Sequence, residues 1–203
     1  MKVNPIRNIK NYVKIALTAG AITLSMPALK AQTTDTFSKI SELVTPAGTS
    51  DSIVLKNAPS AQVDFMGEKH NVGIVVDLSK NILYNYDENG NALGAYLVAS
   101  GKKNTPTSPG LRIVTHVETY PYKYAPASSK RRNMPRSYGP KIICLDKLDS
   151  ATGERIISGQ FIHGNNNVNS LGKYASLGCI RMDNEVIKHI AKQVKRGTLV
   201  LFK

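Results

Sequence analysis

Two residues near the C-terminal end of the chain have the types and the spacing that thiol chemistry requires. His163 follows the apolar pair Phe161-Ile162, and Cys179 follows sixteen positions later in a Ser-x-Gly-Cys sequence. A cysteine attacks a carbonyl as a thiolate, and an imidazole within hydrogen-bonding reach can remove the thiol proton. A single loop is long enough to bring the two side chains together, so the pair predicts nucleophilic catalysis.

The turn that carries Cys179 fits the same chemistry. Gly178 allows the backbone to turn tightly and to approach a substrate carbonyl closely. The backbone amides of Gly178 and Cys179 are natural donors to the negatively charged oxygen that forms during attack. We expect a helix to begin just after this turn, where its N-terminal amides and dipole would favour the thiolate.

Each of the two residues also has an ordinary structural interpretation. A histidine after an apolar strand is more often structural, and a cysteine is more often a small buried hydrophobic residue. The chain has two cysteines, which on count alone suits a disulfide in an exported protein. A nucleophile has to be free, and Cys144 lies in the apolar run 141–145, which is typical of strand packing. We therefore predict that Cys144 and Cys179 are not joined.

Strands are predicted to position these residues. From residue 71 onward, apolar runs alternate with turn residues, which is typical of antiparallel strands. The predicted strands span residues 72–77, 82–86, 93–99, 111–117, 141–145 and 198–202, and the run ending at His163 is a further one. Residues 120–140 are rich in Tyr and Pro, with a basic cluster, so we predict a loop that lines or covers a site.

One helix is predicted with both of its ends. Apolar residues recur at the spacing of a helix face between Ile187 and Val194. Asp183 or Asn184 is placed to cap its start, and Gly197 lies just past its end. Together with the strands, this pattern predicts a mainly β fold with one or two helices, in the α+β class.

The N-terminal segment is predicted to be a secretory signal over residues 1–31. Basic residues up to Lys14 precede a mostly apolar run, 15–26, that is too short to span a bilayer, and cleavage is expected after Ala31. An uncleaved membrane anchor is the alternative. Residues 32–69 are predicted to be a linker or irregular arm, which leaves 70–203 as one domain in the periplasm or cell envelope, without a stable membrane span after processing.

The charge of the chain argues against nucleic acid as a partner. Lys and Arg number 27 against 14 Asp and Glu, and five of the basic residues lie in the predicted signal. The remainder are scattered, apart from residues 130–132, and are not interleaved with aromatic residues. The histidines at 70, 116 and 189 are far apart and have no ligand spacing to a cysteine, so we predict neither a metal nor a cofactor.

The segments around His163 and Cys179 resemble a known family. His163-Gly164, a gap, and the run from Ser176 to Met182 are similar to the signature of the L,D-transpeptidase catalytic domain, the YkuD-like fold. Three further segments resemble this family: residues 75–84 its opening strands, 100–110 its Thr-Pro-x-Gly turn, and 138–140 its approach to the site. The resemblance covers about residues 71–203 and implies a β-sandwich-like assembly of mixed sheets.

The resemblance also implies an activity, which is a cysteine-dependent acyl transfer on peptidoglycan stem peptides in cell wall synthesis. Members of the family attack the carbonyl of the third stem residue, release the terminal D-alanine and hold the stem as a thioester until an amine resolves it. Carbapenem β-lactams acylate the same cysteine. By the resemblance, Cys179 is the nucleophile and His163 the base.

The resemblance further assigns roles to the residues around the pair. The carbonyl of Gly164 or a neighbour would orient the imidazole, Ser176 would hydrogen-bond near the thiol, and Arg181 would brace the turn or meet a substrate carboxylate. Tyr138 and Gly139 would line the cleft. Leu177 is a departure, because many members have histidine there, and His163 must then handle the proton alone.

Other activities share the predicted acyl-enzyme. Water as the acceptor gives an L,D-carboxypeptidase, and hydrolysis of a stem linked to an envelope protein gives an amidase; an envelope protein is also a candidate acyl acceptor. A catalytically inactive wall-binding module is a further alternative, which the intact set from His163 to Arg181 argues against. A papain-like protease is disfavoured because its cysteine precedes its histidine in the chain.

Overall fold

The computed structural model of the protein describes residues 53–203. The predicted signal and residues 32–52 of the predicted linker lie outside the described residues. Among residues 53–203, no helix has the length and apolar character needed to cross a membrane.

Strands dominate the described fold. They are β1 Gln62–Phe65, β2 Glu68–Asn71, β3 Ile74–Asp77, β4 Ile82–Tyr86, β5 Ala92–Leu97, β6 Ser100–Gly101, β7 Gly110–Thr119, β8 Lys141–Leu148, β9 Arg155–His163, β10 Tyr174–Ser176, β11 Ile180–Arg181 and β12 Leu199–Phe202. The α-helices are α1 Ile53–Lys56, α2 Lys130–Asn133 and α3 Asn184–Gln193, with short 3-10 turns at Pro135–Ser137 and Val168–Ser170. The predicted fold class, mainly β with mixed sheets and few helices, is confirmed.

Eight strands form one mixed sheet in the order β11-β9-β8-β7-β12-β3-β4-β5. The last strand of the chain, β12, is central: it runs parallel to β3 and antiparallel to β7. Its sequence suits a central position because both of its faces are apolar. Val200 and Phe202 join the main core, whereas Leu199 and Leu201 pack on the other face. Two small pairs, β1-β2 and β6-β10, flank the sheet.

The two faces of the sheet are packed differently because side chains alternate along each strand. One face packs against α3, and Ile162, Ile180 and Ile187 are fully buried between them. The opposite face carries two smaller apolar clusters. One includes residues of the β1-β2 hairpin, and the other, with Ile142 and Cys144, is covered by the loop 120–140.

The second half of the predicted irregular arm is regular. Residues 53–69 contain α1, β1 and the first half of β2, and the two strands pair in register. Their two-residue connection, Met66-Gly67, has positive φ at both positions, which is the geometry that a tight antiparallel hairpin needs. The two strands are short and largely polar, so the sequence pattern did not predict this hairpin.

Candidate active site

Strand pairing brings Cys179 and His163 to neighbouring positions. β11 lies parallel to β9, and Arg181 is the register partner of His163 while Ile180 pairs with Ile162. Cys179 directly precedes Ile180, so it lies beside Phe161 at the edge of the sheet. A loop of sixteen residues thus returns the chain to the strand that ends at His163.

The alternation of side chains along β9 and β11 places the candidate reactive groups on one face of the sheet. Ile162 and Ile180 are fully buried in the main core. Phe161 and His163 therefore face the other way, and so do Cys179 and Arg181 on the neighbouring segment. The thiol, the imidazole and the guanidinium share this outer face, which is the face that loop 120–140 covers.

His163 is buried, and its ring is held by its own backbone neighbour. Nδ1 lies 2.6 Å from the carbonyl oxygen of Gly164, which can only accept a hydrogen bond. The neutral ring therefore carries its proton on Nδ1 and leaves Nε2 as the basic atom. Burial, reinforced by the charge of Arg181, lowers the pKa of His163 to about 4, although the Gly164 carbonyl opposes the shift.

The Cys179 thiol is half-buried, and its pKa is raised by that burial. A backbone hydrogen bond from Phe161 and the charge of Arg181 oppose the shift but do not overcome it. The resting pair is therefore a thiol beside a neutral imidazole. A reaction in which this thiol acts as a nucleophile would therefore have to remove its proton in the same step.

The helix predicted after the Cys179 turn is present, but a strand lies between its start and Cys179. Cys179 leads into β11, and α3 begins at Asn184. The side chain of Asp183 caps that helix by accepting hydrogen bonds from the backbone amides of Glu185 and Val186. The first amides of α3 are thus engaged by Asp183 and are not available to the thiol, and burial determines the ionisation of Cys179.

Ser176 stabilises the turn around Cys179. Its Oγ donates to the Cys179 carbonyl at 2.6 Å and accepts from the Gly178 amide at 3.0 Å. Gly178 has φ +112°, a conformation that favours glycine. The Gly178 amide is thus engaged, whereas the Cys179 N–H has no hydrogen-bond partner among residues 53–203.

The turn from Gly101 to Thr107 supports the turn that carries Cys179. The Thr105 hydroxyl donates to the Ser176 carbonyl, and the Thr107 hydroxyl donates to the Gly178 carbonyl at 3.0 Å. The Thr107 oxygen also accepts from the Gly101 amide. These side chains tie two segments that are 71 residues apart in the chain.

Loop 120–140 closes over the outer face through aromatic and ionic contacts. The Tyr138 ring packs on His163, with ring centroids 4.7 Å apart and planes tilted by 41°. Arg131 places its guanidinium 5.2 Å from the centre of the Phe161 ring and binds both oxygens of Glu118, at 2.9 and 3.1 Å. Glu118 is buried, so this ion pair attaches the loop firmly to the sheet.

Gly139 and Gly164 are close to each other beneath the loop. A methyl group on Gly139 would lie 2.7 Å from the Gly164 Cα, and one on Gly164 would lie 2.8 Å from the Pro140 ring. Both positions require glycine because any side chain would push the loop away from His163. Gly139 thus acts through packing.

Arg181 is fixed by its backbone, while its side chain has no ionic partner. Its amide and carbonyl both bond to Ala99 on the side away from β9. Within residues 53–203, no carboxylate lies within salt-bridge distance of its guanidinium. Leu177 is 61% exposed at the same turn.

Cys144 lies in the same row of the sheet as Cys179 but one strand further away. Cys144 is the register partner of Phe161, which in turn lies beside Cys179. Two strand spacings of about 4.8 Å separate the cysteines, which exceeds the roughly 4.4–6.8 Å between Cα atoms that a disulfide spans. Both cysteines are free. Burial raises the pKa of Cys144 to about 12.

We expect iodoacetamide to label Cys179 and not Cys144 in the native protein near neutral pH. Cys179 is half-buried beside a base, whereas Cys144 is buried and its proton is held tightly. Peptide mapping after labelling, with and without denaturant, measures the two sites separately. Equal native labelling, or a Cys144–Cys179 disulfide in active protein, would contradict this arrangement.

One cluster of metal-type ligands occurs among residues 53–203. His116, Glu118 and Cys144 each place one ligand atom within 4.8 Å of the others. The Glu118 carboxylate is already engaged by Arg131 on both oxygens and by His116 at 3.1 Å. Within this cluster, Glu118 is the residue whose ion pair with Arg131 holds loop 120–140.

Several residues that shape the site had no role in the sequence interpretation. Glu118 lies on β7 and Arg131 lies 13 residues later in the loop, and their ion pair forms only when the loop packs on the sheet. Gln160 donates to the Gly178 carbonyl at 2.9 Å. The signal for Gln160 was its polar side chain in an otherwise apolar run that ends at His163.

The YkuD family model, described as the L,D-transpeptidase catalytic domain, matches residues 71–201. YqjB of Bacillus subtilis, a protein assigned by name to the L,D-transpeptidases, is 35% identical over 108 residues, which cover 53% of this chain and 58% of that protein. The chain thus spans less than two thirds of this relative's length.

Solved structures with similar folds include two L,D-transpeptidases. That of Enterococcus faecium has a TM-score of 0.47 at 23% identity and covers 65% of this chain and 49% of its own. That of Mycobacterium smegmatis has a TM-score of 0.44 at 17% identity and covers 71% of this chain and 68% of its own. On the match of the family model to most of the described domain, the chain belongs to the L,D-transpeptidase catalytic domain (YkuD) family.

Proposed function

We propose that the protein is an exported L,D-transpeptidase that cross-links peptidoglycan stem peptides through a thioester on Cys179. The observation that carries this proposal is the pairing of β9 with β11, which places the Cys179 thiol and a neutral imidazole with a free Nε2 on one face, next to the unpartnered Cys179 amide. These are the nucleophile, base and oxyanion donor of acyl transfer. Family membership agrees with the assignment.

The first half of the proposed reaction forms the thioester. The Cys179 proton passes to Nε2 of His163 as sulfur bonds to the carbonyl carbon of the third stem residue. The carbonyl oxygen becomes negative and accepts from the Cys179 N–H. The bond to the D-alanine nitrogen then breaks, and that nitrogen takes the proton back from His163. The Gly164 carbonyl keeps the imidazole in the required tautomer throughout.

The second half transfers the stem to an amine. His163, neutral again, removes a proton from the incoming amine as its nitrogen attacks the thioester carbonyl, and the thiol is regenerated. The Tyr138 ring and the attached loop cover His163, which limits access of water to the thioester. This cover favours transfer to an amine over hydrolysis. The amine of an envelope protein is an alternative acceptor.

The products distinguish the proposed activity from its alternatives. Purified protein is incubated with disaccharide-tetrapeptides, and the products are weighed by mass spectrometry. Transpeptidation gives a cross-linked dimer with the mass of two substrates less one D-alanine. Disaccharide-tripeptide without dimer would identify a carboxypeptidase, and unchanged substrate would contradict the proposal.

We further propose that Arg181 binds the carboxylate of the terminal D-alanine. This carboxylate is the acid group nearest the scissile carbonyl, and the Arg181 guanidinium lies on the same face without an ionic partner among the described residues. A hydrogen-bonded charge pair of this kind contributes about 1.5–3 kcal/mol, or roughly a tenfold to hundredfold change in kcat/KM.

A comparison of acid and amide substrates tests this role of Arg181. Wild type should prefer a tetrapeptide that ends in D-alanine over one that ends in D-alaninamide by at least about tenfold. Arg181→Met should lose the preference, and Arg181→Lys should retain part of it. Taking the ratio of kcat/KM for the two substrates cancels any effect that Arg181 has on the reactivity of the thiol. An unchanged ratio in Arg181→Met would contradict the assignment.

A further inference from the structure

Arg112 is a fully buried arginine in β7 that has no acidic partner. Only 1% of its surface is exposed, and no carboxylate of residues 53–203 lies within salt-bridge distance. An unpaired buried charge is costly, so its donors must be satisfied in another way. Burial lowers the pKa of Arg112 to about 10, which still leaves it charged at neutral pH.

Neutral oxygens and an aromatic ring surround this guanidinium. Nη1 donates to the Gly110 carbonyl at 2.6 Å, and Nη2 donates to the carbonyl and hydroxyl of Ser108 at 2.5 and 3.1 Å. The Phe202 ring lies 4.3 Å from the guanidinium carbon. The remaining contact runs from Nε to Oε1 of Gln160, at 2.7 Å.

The contact with Arg112 fixes the orientation of the Gln160 amide. Arginine can only donate, so the oxygen of the amide must face Arg112 and its nitrogen must face the other way. That nitrogen donates to the Gly178 carbonyl at 2.9 Å. Gln160 thus links Arg112, whose guanidinium is held by several hydrogen bonds, to Gly178, the residue before Cys179.

The Gly178 carbonyl and the Cys179 amide belong to one planar peptide unit. In a trans peptide the C=O and the following N–H point in opposite directions. Gln160 and Thr107 both donate to the Gly178 oxygen and hold it toward the interior. The Cys179 N–H is thereby directed to the opposite side, where it has no partner among the described residues.

We propose that Arg112 and Gln160 are positioning residues that direct the Cys179 N–H at the substrate carbonyl. Neither touches the reacting atoms; they act through the Gly178 carbonyl. This inference rests on the proposed function, in which Cys179 is acylated. It predicts that the two residues matter for reactions that form an oxyanion and not for the reactivity of the thiol itself.

Gln160→Met separates these two kinds of reaction, because it removes both hydrogen bonds with a neutral side chain of similar length. Acylation of Cys179 by a carbapenem forms an oxyanion and should slow about tenfold to a hundredfold. Alkylation by iodoacetamide displaces iodide at a saturated carbon and forms no oxyanion. Its plateau rate at alkaline pH, where the thiol is ionised, should change by less than about threefold.

Further variants test each link of the arrangement. Gln160→Glu keeps the acceptor for Arg112 but loses the donor to Gly178, and Arg112→Met releases the Gln160 amide; both should show the same split between acylation and alkylation. The double variant Arg112→Met/Gln160→Met should lose no more of the acylation rate than the worse single variant, because both residues act through one carbonyl.

Gln193→Met is a matched control. Gln193 bonds Asn85 at the other end of α3, so the rates of acylation and alkylation should both stay unchanged.

The outcomes are distinct. Equal loss of acylation and alkylation, or no loss of either in a folded variant, would overturn the positioning role. Circular dichroism establishes folding, and Gln160→Glu decides the question if Gln160→Met does not fold. A wild-type protein that is alkylated but is acylated by neither carbapenem nor tetrapeptide contradicts the proposed function as well. If wild type is acylated and the variants are acylated at the same rate, only this inference is contradicted and the proposed function stands.

Discussion

Replacing Cys179 with alanine is expected to reduce turnover of a disaccharide-tetrapeptide by about ten-thousand-fold or more, because the nucleophile that forms the thioester is gone. The fold should survive. Alanine keeps the Cβ, and the turn is held by backbone contacts to Ser176 and by the side chains that bond the Gly178 carbonyl. We expect the free energy of unfolding to change by less than about 1 kcal/mol.

Cys144→Ala is the matched control for this variant. Cys144 lies in the same row of the sheet, one strand beyond Phe161, and is buried. Its removal should leave turnover unchanged, while loss of a buried sulfur lowers the free energy of unfolding by about 1 kcal/mol. Turnover assays and urea unfolding of the two variants measure both quantities. Retained turnover in Cys179→Ala would contradict the mechanism.

Replacing His163 with alanine is expected to slow acylation of Cys179 by about a hundredfold to ten-thousandfold, the range that a positioned base contributes. Burial raises the pKa of the thiol, so without Nε2 little thiolate forms near neutral pH. Labelling by iodoacetamide at that pH should slow as well. His189→Ala, in α3, is the control, since His189 contacts Gln193 and lies away from the site. Labelling rates that do not depend on His163 would contradict its role as base.

The lowered pKa of His163 gives this base a distinctive pH dependence. The imidazole accepts the thiol proton only when it is neutral. Because its pKa falls from 6.5 to about 4, the base is available above about pH 4. The acid limb of kcat/KM for wild type should therefore lie well below pH 6.5. An acid limb centred at pH 6.5 or above would show that His163 titrates as an exposed imidazole does.

Stability should change with pH in the same window. Between pH 6.5 and about 4, His163 takes up a proton in the unfolded chain but not in the folded one, so protonation favours unfolding. The contribution of the neutral imidazole to stability is thus fully present above pH 6.5 and is lost as the pH falls toward 4. In His163→Ala, urea unfolding should show a shallower loss of stability over this range than in wild type.

Local sequence patterns predicted the elements that carry the site. The strand that ends at His163, the helix with Asp183 at its cap and the apolar final strand all follow from periodicity and turn residues, which are short-range properties. The loop 120–140 was recognisable from its irregular composition. The contacts that the loop makes could not be predicted from the sequence, because the ion pair of Arg131 with Glu118 depends on the packing of the loop against β7.

Other features of the site depend on the assembled fold and could not be predicted from the sequence. The pairing of Arg181 with His163 is a register between strands, and nothing in either segment alone specifies it. The ionisation of Cys179 was predicted from a nearby helix start, but β11 intervenes and burial dominates. Arg112 appeared as one of many basic residues, and only its burial beside Gln160 gives it a specific role.

The most direct test of the account is the mass of the protein itself during the reaction. Wild-type protein is mixed with a disaccharide-tetrapeptide, quenched in acid within the first turnover and weighed intact, and the modified peptide is then mapped. We predict an adduct equal to the substrate less D-alanine, attached to Cys179, slow to form in His163→Ala and absent in Cys179→Ala. Turnover without any adduct, or an adduct on another residue, would contradict the thioester mechanism.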